Sequence, residues 1–193
     1  MSNIDIIFIG DSLTFGYGVH ENQSWVYNLG RELSLSYLNK ARNGDTSTGI
    51  LSRYYRDVIK YSPRNIFLMC GTNDLLMGKK TKDIIDNLEL MIKDALDIDS
   101  KIILGIPPMI IGSMAKTLFM PSSFYDYTEE EIPHLQLEII KLCSKYNIPY
   151  IDFYEMTWNK KHLYLDGVHL NVEGHDLMFK NFLQQFGNYF IKH

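Results

Sequence analysis

A serine stands directly behind an apolar run near the start of the chain: Gly10-Asp11-Ser12-Leu13 follows Ile4 to Ile9. Near the other end, Asp166-Gly167-Val168-His169 supplies a carboxylate and an imidazole. Serine, histidine and aspartate are the parts of an acyl-transfer triad, in which the imidazole takes the hydroxyl proton and the carboxylate holds the imidazole in place. A serine hydroxyl is a poor nucleophile at neutral pH and needs such a base within hydrogen-bond reach. Two further polar segments separate apolar stretches, Arg42-Asn43-Gly44-Asp45-Thr46-Ser47 and Gly71-Thr72-Asn73-Asp74. Each of these residues has a plainer reading. Ser12 suits a helix N-cap, Asp166-Gly167 a surface turn, and Asn73 an Asx turn closing a strand. Asn43-Gly44 suits a turn with positive φ, a role compatible with any chemistry of Gly44.

The elements that must position these groups are legible as a pattern. Apolar runs that read as buried strands are Ile4–Ile9, a weak one near Tyr37–Ala41, Ile66–Cys70, Ile102–Ile106 and Tyr150–Phe153. Helical stretches lie between them, roughly Ser24–Leu35, Thr48–Lys60, Thr81–Asp97 and Glu129–Tyr146, with a last helix near Gly174–Phe186. Ile84, Ile85, Leu88, Met91, Ile92 and Leu96 recur at helical spacing and define one apolar face. Continuous apolar strands alternating with helices predict a parallel sheet covered on both faces. With right-handed crossovers this is a three-layer α/β/α sandwich of about five strands. Ligands in such sheets bind beyond the carboxyl ends of the strands. The first three polar segments each follow a candidate strand, so the topology gathers them at one edge. The last helix must return His169 to that edge.

One region breaks the alternation. Pro107 to Pro133 is long for a connection and rich in apolar residues, among them Met109, Met114, Met120 and Phe124. It leaves the edge where Ser12 should lie. Long loops of this kind often act as lids or binding segments. We read residues 1–193 as one domain carrying this apolar insertion near 107–133. Its apolar side chains are also a candidate surface for a homodimer.

Composition narrows the function classes. A hydrophobic share of 46% and a charged share of 22% are ordinary for a globular protein. The formal net charge of −4, with no basic stripe, gives no reason to expect nucleic acid as a partner. The two cysteines, Cys70 and Cys143, are far apart, so neither metal nor redox chemistry is indicated and a reducing compartment suffices. The first residues lack a basic n-region and a cleavage site, and no apolar segment approaches the ~20 residues of a membrane span. The expected location is the cytoplasm.

The four polar segments, GDSLT, NGDTS, GTND and DGVH, resemble the four blocks of the SGNH, or GDSL-type, serine hydrolase family, in the family's order. They extend from Gly10 to His169. The stretch from Gly10 to Val19 is also similar to the thioesterase/lysophospholipase branch. The resemblance implies a flavodoxin-like sandwich, hydrolysis of an ester or thioester, and no metal or organic cofactor. It implies Ser12 as nucleophile, His169 as general base and later acid, and Asp166 as the group that orients the ring. It implies an oxyanion hole from the N–H groups of Ser12 and Gly44 and the side-chain amide of Asn73. Asp11 and Asp74 are expected to brace the loops, and Asn171 to cap the last helix. His175 is the rival to His169; His20, His134, His162 and His193 have no comparable partner pattern.

The expected reaction is hydrolysis of a small-molecule ester through an acyl-serine intermediate. Three substrate classes compete: acyl esters or thioesters, lysophospholipids, and O-acetyl groups on carbohydrates. Leu13, Phe15, Leu75 and Met109 are candidate substrate contacts, although the same residues could simply pack the core. Two other classes of function would leave different marks in the sequence. A non-catalytic binding module on this fold would be marked by loss of Ser12, His169 or an oxyanion donor, and all are present. A flavin or nucleotide binder would want a phosphate-cradling loop after the first strand, where Asp11, Leu13 and Phe15 stand instead.

Overall fold

Side chains alternate between two faces along the apolar strands, and that alternation builds the molecule. In the computed structural model, which describes residues 4–119 and 121–190, strand β1 (Ile6–Gly10) sends Ile7 and Ile9 to one core and Ile6 and Phe8 to another. Strand β3 (Asn65–Met69) repeats the division with Ile66 and Leu68 against Phe67 and Met69. Strands β2 (Tyr37–Asn39), β4 (Lys101–Ile106) and β5 (Tyr150–Asp152) complete a five-stranded sheet in the order β2-β1-β3-β4-β5. All neighbouring pairs are parallel.

Helices cover both faces. One core takes residues from α3 (Ser47–Asp57), α5 (Thr81–Asp97) and α7 (Phe124–Tyr146). The other takes α2 (Trp25–Glu32) and α9 (Val172–Phe186). Four short helices sit at the strand ends: α1 (Ser12–Phe15), α4 (Thr72–Leu76), α6 (Gly112–Leu118) and α8 (Phe153–Thr157). The result is the expected three-layer α/β/α sandwich. The second core is aromatic: Trp25 packs edge-on to Phe8 and Phe67, with centroids 5.6 and 5.1 Å away. Its buried indole N–H donates to the Leu13 carbonyl at 2.9 Å, which fixes α1 to the core.

The strand order explains where a site forms. The chain runs from β1 outward to β2 and then returns to place β3 on the other side of β1. The loops after β1 and β3 therefore diverge and leave a crevice between them at the carboxyl edge.

Two expectations need correction. The stretch 107–133 is largely helical: α6 occupies Gly112–Leu118, and α7 begins at Phe124 and runs through Pro133 to Tyr146. A seven-residue helix is too short to show periodicity, and the proline reads as a boundary although the helix passes through it. The last strand ends at Asp152, which caps α8 by accepting from the Glu155 N–H. Met120, His193 and the first three residues, on which expectations above also fall, lie outside the described residues. No helix among the described residues is long and apolar enough to cross a membrane.

Candidate active site

Gly10 ends β1, and Asp11 turns the chain into α1. The Asp11 carboxylate accepts from the Leu13 N–H at 3.0 Å, so Asp11, rather than Ser12, is the N-cap. Ser12 is thereby freed from capping and becomes the first helical residue. Its Oγ lies 3.1 Å from His169 Nε2.

The imidazole arrives from the opposite end of the chain, on the turn before α9. Gly167 bends this turn with φ +91°, a conformation that a side chain resists. The bend folds Asp166 back on His169. Asp166 Oδ1 accepts from the N–H groups of Val168 and His169 at 2.9 and 2.7 Å. Asp166 Oδ2 lies 2.7 Å from His169 Nδ1. That contact places the ring proton on Nδ1 and leaves the Nε2 lone pair to accept the Ser12 hydroxyl. Burial alone would raise the Asp166 carboxyl, but the hydrogen bonds from the His169 ring and the two N–H groups outweigh it and lower its pKa. Asp166 is held as an anion, the state that stabilises an imidazolium. Asn171 caps α9 behind the turn, accepting from the Gly174 N–H at 3.1 Å.

Sequence reasoning did not anticipate what roofs this imidazole. The Tyr17 ring packs on it with centroids 4.4 Å apart. Nearby, His175 is buried beside the Tyr17 backbone, and burial lowers its pKa to about 4. An enclosed ring with no hydrogen bond to the Ser12 hydroxyl is not placed to take its proton, so His175 is read as packing against the Tyr17 loop. A tyrosine five residues beyond the serine carries no signal that it will meet a histidine from the far end.

The remaining donors come from the loops after β2 and β3. The Arg42 N–H donates to the Gly10 carbonyl at 3.0 Å, and Asn73 Nδ2 donates to the Asp45 carbonyl at 2.9 Å. Gly44, with φ +75°, lies between these two anchors. Among the described residues, the N–H groups of Ser12 and Gly44 make no hydrogen bond. Asn73 is differently placed: besides Asp45, its amide donates to Asp11 Oδ2 at 3.3 Å. The longer of these two bonds is the one an oxyanion would have to replace.

Two buried carboxylates tie the loops together. Asp74 accepts from the Ser47 N–H and hydroxyl at 2.7 and 2.8 Å and from Lys79 at 3.1 Å, locking α4 to the start of α3. Asp11 joins the turn that carries Ser12 to Asn73. Burial raises the Asp11 carboxyl to about 7; the Leu13 N–H and His169 oppose the rise, and Asp74 and Asp45 add to it.

The expected substrate contacts are mostly interior. Leu13 and Leu75 are 3% and 0% exposed and belong to the two cores. Hydrophobicity alone does not tell which face of a short helix turns inward. Met109 is wedged between both cores, with its carbonyl accepting from the Tyr164 hydroxyl at 2.6 Å. Phe15 is 50% exposed and lines a cavity of about 430 Å³ with Val19, Tyr27 and Tyr37.

A parallel α/β sandwich with Ser, His and Asp aligned at its switch point is the arrangement of a serine hydrolase. The chain matches the GDSL-like lipase/acylhydrolase family over residues 8–177 and belongs to it. It is 28% identical over 111 residues to the esterase TesA of Pseudomonas aeruginosa, a match covering 53% of this chain and 55% of that protein. It is 26% identical over 143 residues to an arylesterase of Vibrio mimicus, covering 70% of this chain and 68% of that one. The chain thus aligns with little more than half the length of the first of these relatives. A crystal structure of a lipolytic G-D-S-L family member from Veillonella parvula superposes with a TM-score of 0.81 at 25% identity, covering 94% of this chain and 97% of that one.

Proposed function

We propose that this protein is a serine esterase that cleaves carboxylic esters or thioesters of small molecules through an acyl-serine intermediate. The observation that carries the reading is the unbroken chain from Ser12 Oγ to His169 Nε2, at 3.1 Å, and from His169 Nδ1 to Asp166, at 2.7 Å. As Oγ attacks the carbonyl carbon, its proton passes to His169 Nε2, and Asp166 stabilises the imidazolium. The oxyanion is held by the free N–H groups of Ser12 and Gly44, with Asn73 turning its amide from Asp11 toward it. On collapse, the imidazolium protonates the departing alcohol or thiol. A water, deprotonated by the same imidazole, then releases the acid and restores Ser12.

Residues 1–193 act as one unit in this reading, since both cores pack on a single sheet. Two buried free cysteines fit a cytoplasmic setting. The exposed Leu118, Phe119 and Phe124 fit a homodimer contact, which sedimentation equilibrium tests.

Hydrolysis of p-nitrophenyl esters from acetyl to long acyl, with Ser12→Ala as control, tests the activity. Turnover in the parent and a loss of at least ~10³-fold in the variant are expected. The chain-length optimum separates acetyl esters from lipid-like ones. Equal turnover in both proteins sinks the assignment, and so does failure of a fluorophosphonate to label Ser12 in a parent that turns over no ester.

A further inference from the structure

Beside the Gly44 loop lies a cavity of about 460 Å³ whose wall includes Arg42, Gly44, Arg53 and Arg56. Arg53 is buried and structural. Its Nε donates to Asp45 Oδ2 at 2.7 Å, and its Nη1 donates to the Lys40 carbonyl at 2.8 Å and to Asp57 Oδ2 at 2.9 Å. Arg42 and Arg56 are different. Both converge on the same Asp57 carboxylate, at 3.1 and 2.9 Å, while their side chains remain 56% and 59% exposed. A guanidinium carries five N–H donors. Arg42 commits one to Asp57 and Arg56 two, so most of their donors are unspent.

The charges do not balance. Three guanidinium groups face two carboxylates, Asp45 and Asp57, leaving a local positive excess on a chain whose formal net charge is −4. Asp57 supplies its charge throughout the neutral range, because the Arg56 hydrogen bonds, helped by Arg53, pull its carboxyl down to about 2. Holding Arg53 in place needs neither exposed arginine, and gathering like charges has a Coulomb cost that an incoming anion relieves. Asp57 also restrains the exposed guanidinium groups, which lowers the entropy lost when they bind.

We propose that this cavity is an anion subsite for the ester substrate, taking a carboxylate or phosphate group into the Arg42–Arg56 fork. The proposal rests on the esterase reading, since Gly44 is both part of the cavity wall and a donor to the reacting carbonyl. Planar guanidinium forks recognise these two oxyacids by paired hydrogen bonds.

The test compares kcat/KM for three aryl acetates, phenyl acetate, the acetyl ester of p-hydroxybenzoate and that of p-hydroxyphenyl phosphate. A second pair, p-nitrophenyl butyrate and p-nitrophenyl hemisuccinate, places the charge on the acyl side. The comparison is made in the parent and in an Arg42→Gln/Arg56→Gln variant. For at least one anionic ester the variant should lose roughly five- to twentyfold, as expected for a charge-assisted pair at a half-exposed site, while neutral esters stay within about twofold. Salt at about 0.5 M should erode the same preference in the parent. The carboxylate and phosphate arms distinguish the two anions. Equal losses on charged and neutral esters, or no loss on either, overturn the subsite alone. Absence of turnover by the parent on all five esters overturns the subsite, and the esterase reading falls with it where a fluorophosphonate also fails to label Ser12.

Discussion

Ile111 and Gly167 meet backbone to backbone: the Ile111 N–H donates to the Gly167 carbonyl at 2.7 Å, and a Cβ on Gly167 would stand 2.5 Å from the Ile111 carbonyl oxygen. The segment leaving β4 is thus fastened to the turn that carries Asp166 and His169. The same Cβ would fall 2.8 Å from the Ala115 nitrogen, in α6. The helix that replaces the expected loop therefore serves as a buttress for the turn that carries Asp166 and His169.

Gly167→Ala tests the buttress. Positive φ costs a side chain about 1–2 kcal/mol, and the contacts with backbone atoms add to it, because backbone cannot swing aside as a side-chain tip can. A loss of at least ~2 kcal/mol in unfolding free energy is expected, together with a fall in kcat as the Asp166 turn shifts. Urea unfolding and steady-state kinetics on one preparation read both. An unchanged kcat in a destabilised variant would show that the turn holds its geometry without the Ile111 contact.

The two histidines should part company in opposite ways. His169→Ala removes the proposed base and should lower kcat by roughly 10³-fold or more, with little change in stability. His175→Ala empties a buried site beside the Tyr17 backbone and should cost ~1–3 kcal/mol of stability, while kcat stays within about tenfold. The reverse ranking in kinetics and thermal melts would identify His175 as the base.

The residues proposed to act through local geometry are legible in the sequence alone. Asp166 and His169 are three positions apart, and the turn that joins them is written in Gly167. Strands β1, β3 and β4 were legible as unbroken apolar runs because both of their faces are buried. Strand β2 is short and half-buried at an edge, so its run is weak. What stayed hidden depends on distant parts of the chain. Tyr17 meets His169 only after the sheet is assembled, and Leu13 and Leu75 look like pocket residues until α1 and α4 are seen to turn them inward. The Arg53–Asp57 pair stands at i,i+4 on a helix and was readable in principle, but its partners Asp45 and Arg42 come from another loop.

Asn73 donates to both Asp45 and Asp11, and only the longer bond, at 3.3 Å, can yield to an oxyanion. Asn73→Ala should therefore lower kcat by ~10²–10³-fold and leave KM nearly unchanged, because its new bond forms where charge develops. Asn73→Asp, nearly isosteric but without the donors, should lose as much. An effect confined to KM would move Asn73 out of the oxyanion hole and leave it a brace between loops.

Asp11 makes stability depend on pH in an unusual direction. Its carboxyl is raised from 3.8 to about 7 in the folded protein, chiefly by burial. Below about 4 both states hold the proton, and Asp11 contributes no slope. As pH rises from about 4 to about 7, the unfolded chain releases the proton while the folded one keeps it. Unfolding then releases a proton, and stability falls by up to about 1.4 kcal/mol per pH unit from this group alone. Above about 7 the folded carboxyl ionises as well, and the fall levels off. Asp11→Asn keeps an oxygen that can cap Leu13 and removes the titration, so its stability should lack this component of the slope. Urea unfolding of parent and variant at half-unit intervals from pH 4.5 to 8.5 measures the difference; parallel profiles would mean that Asp11 keeps an ordinary carboxylate pKa despite its burial.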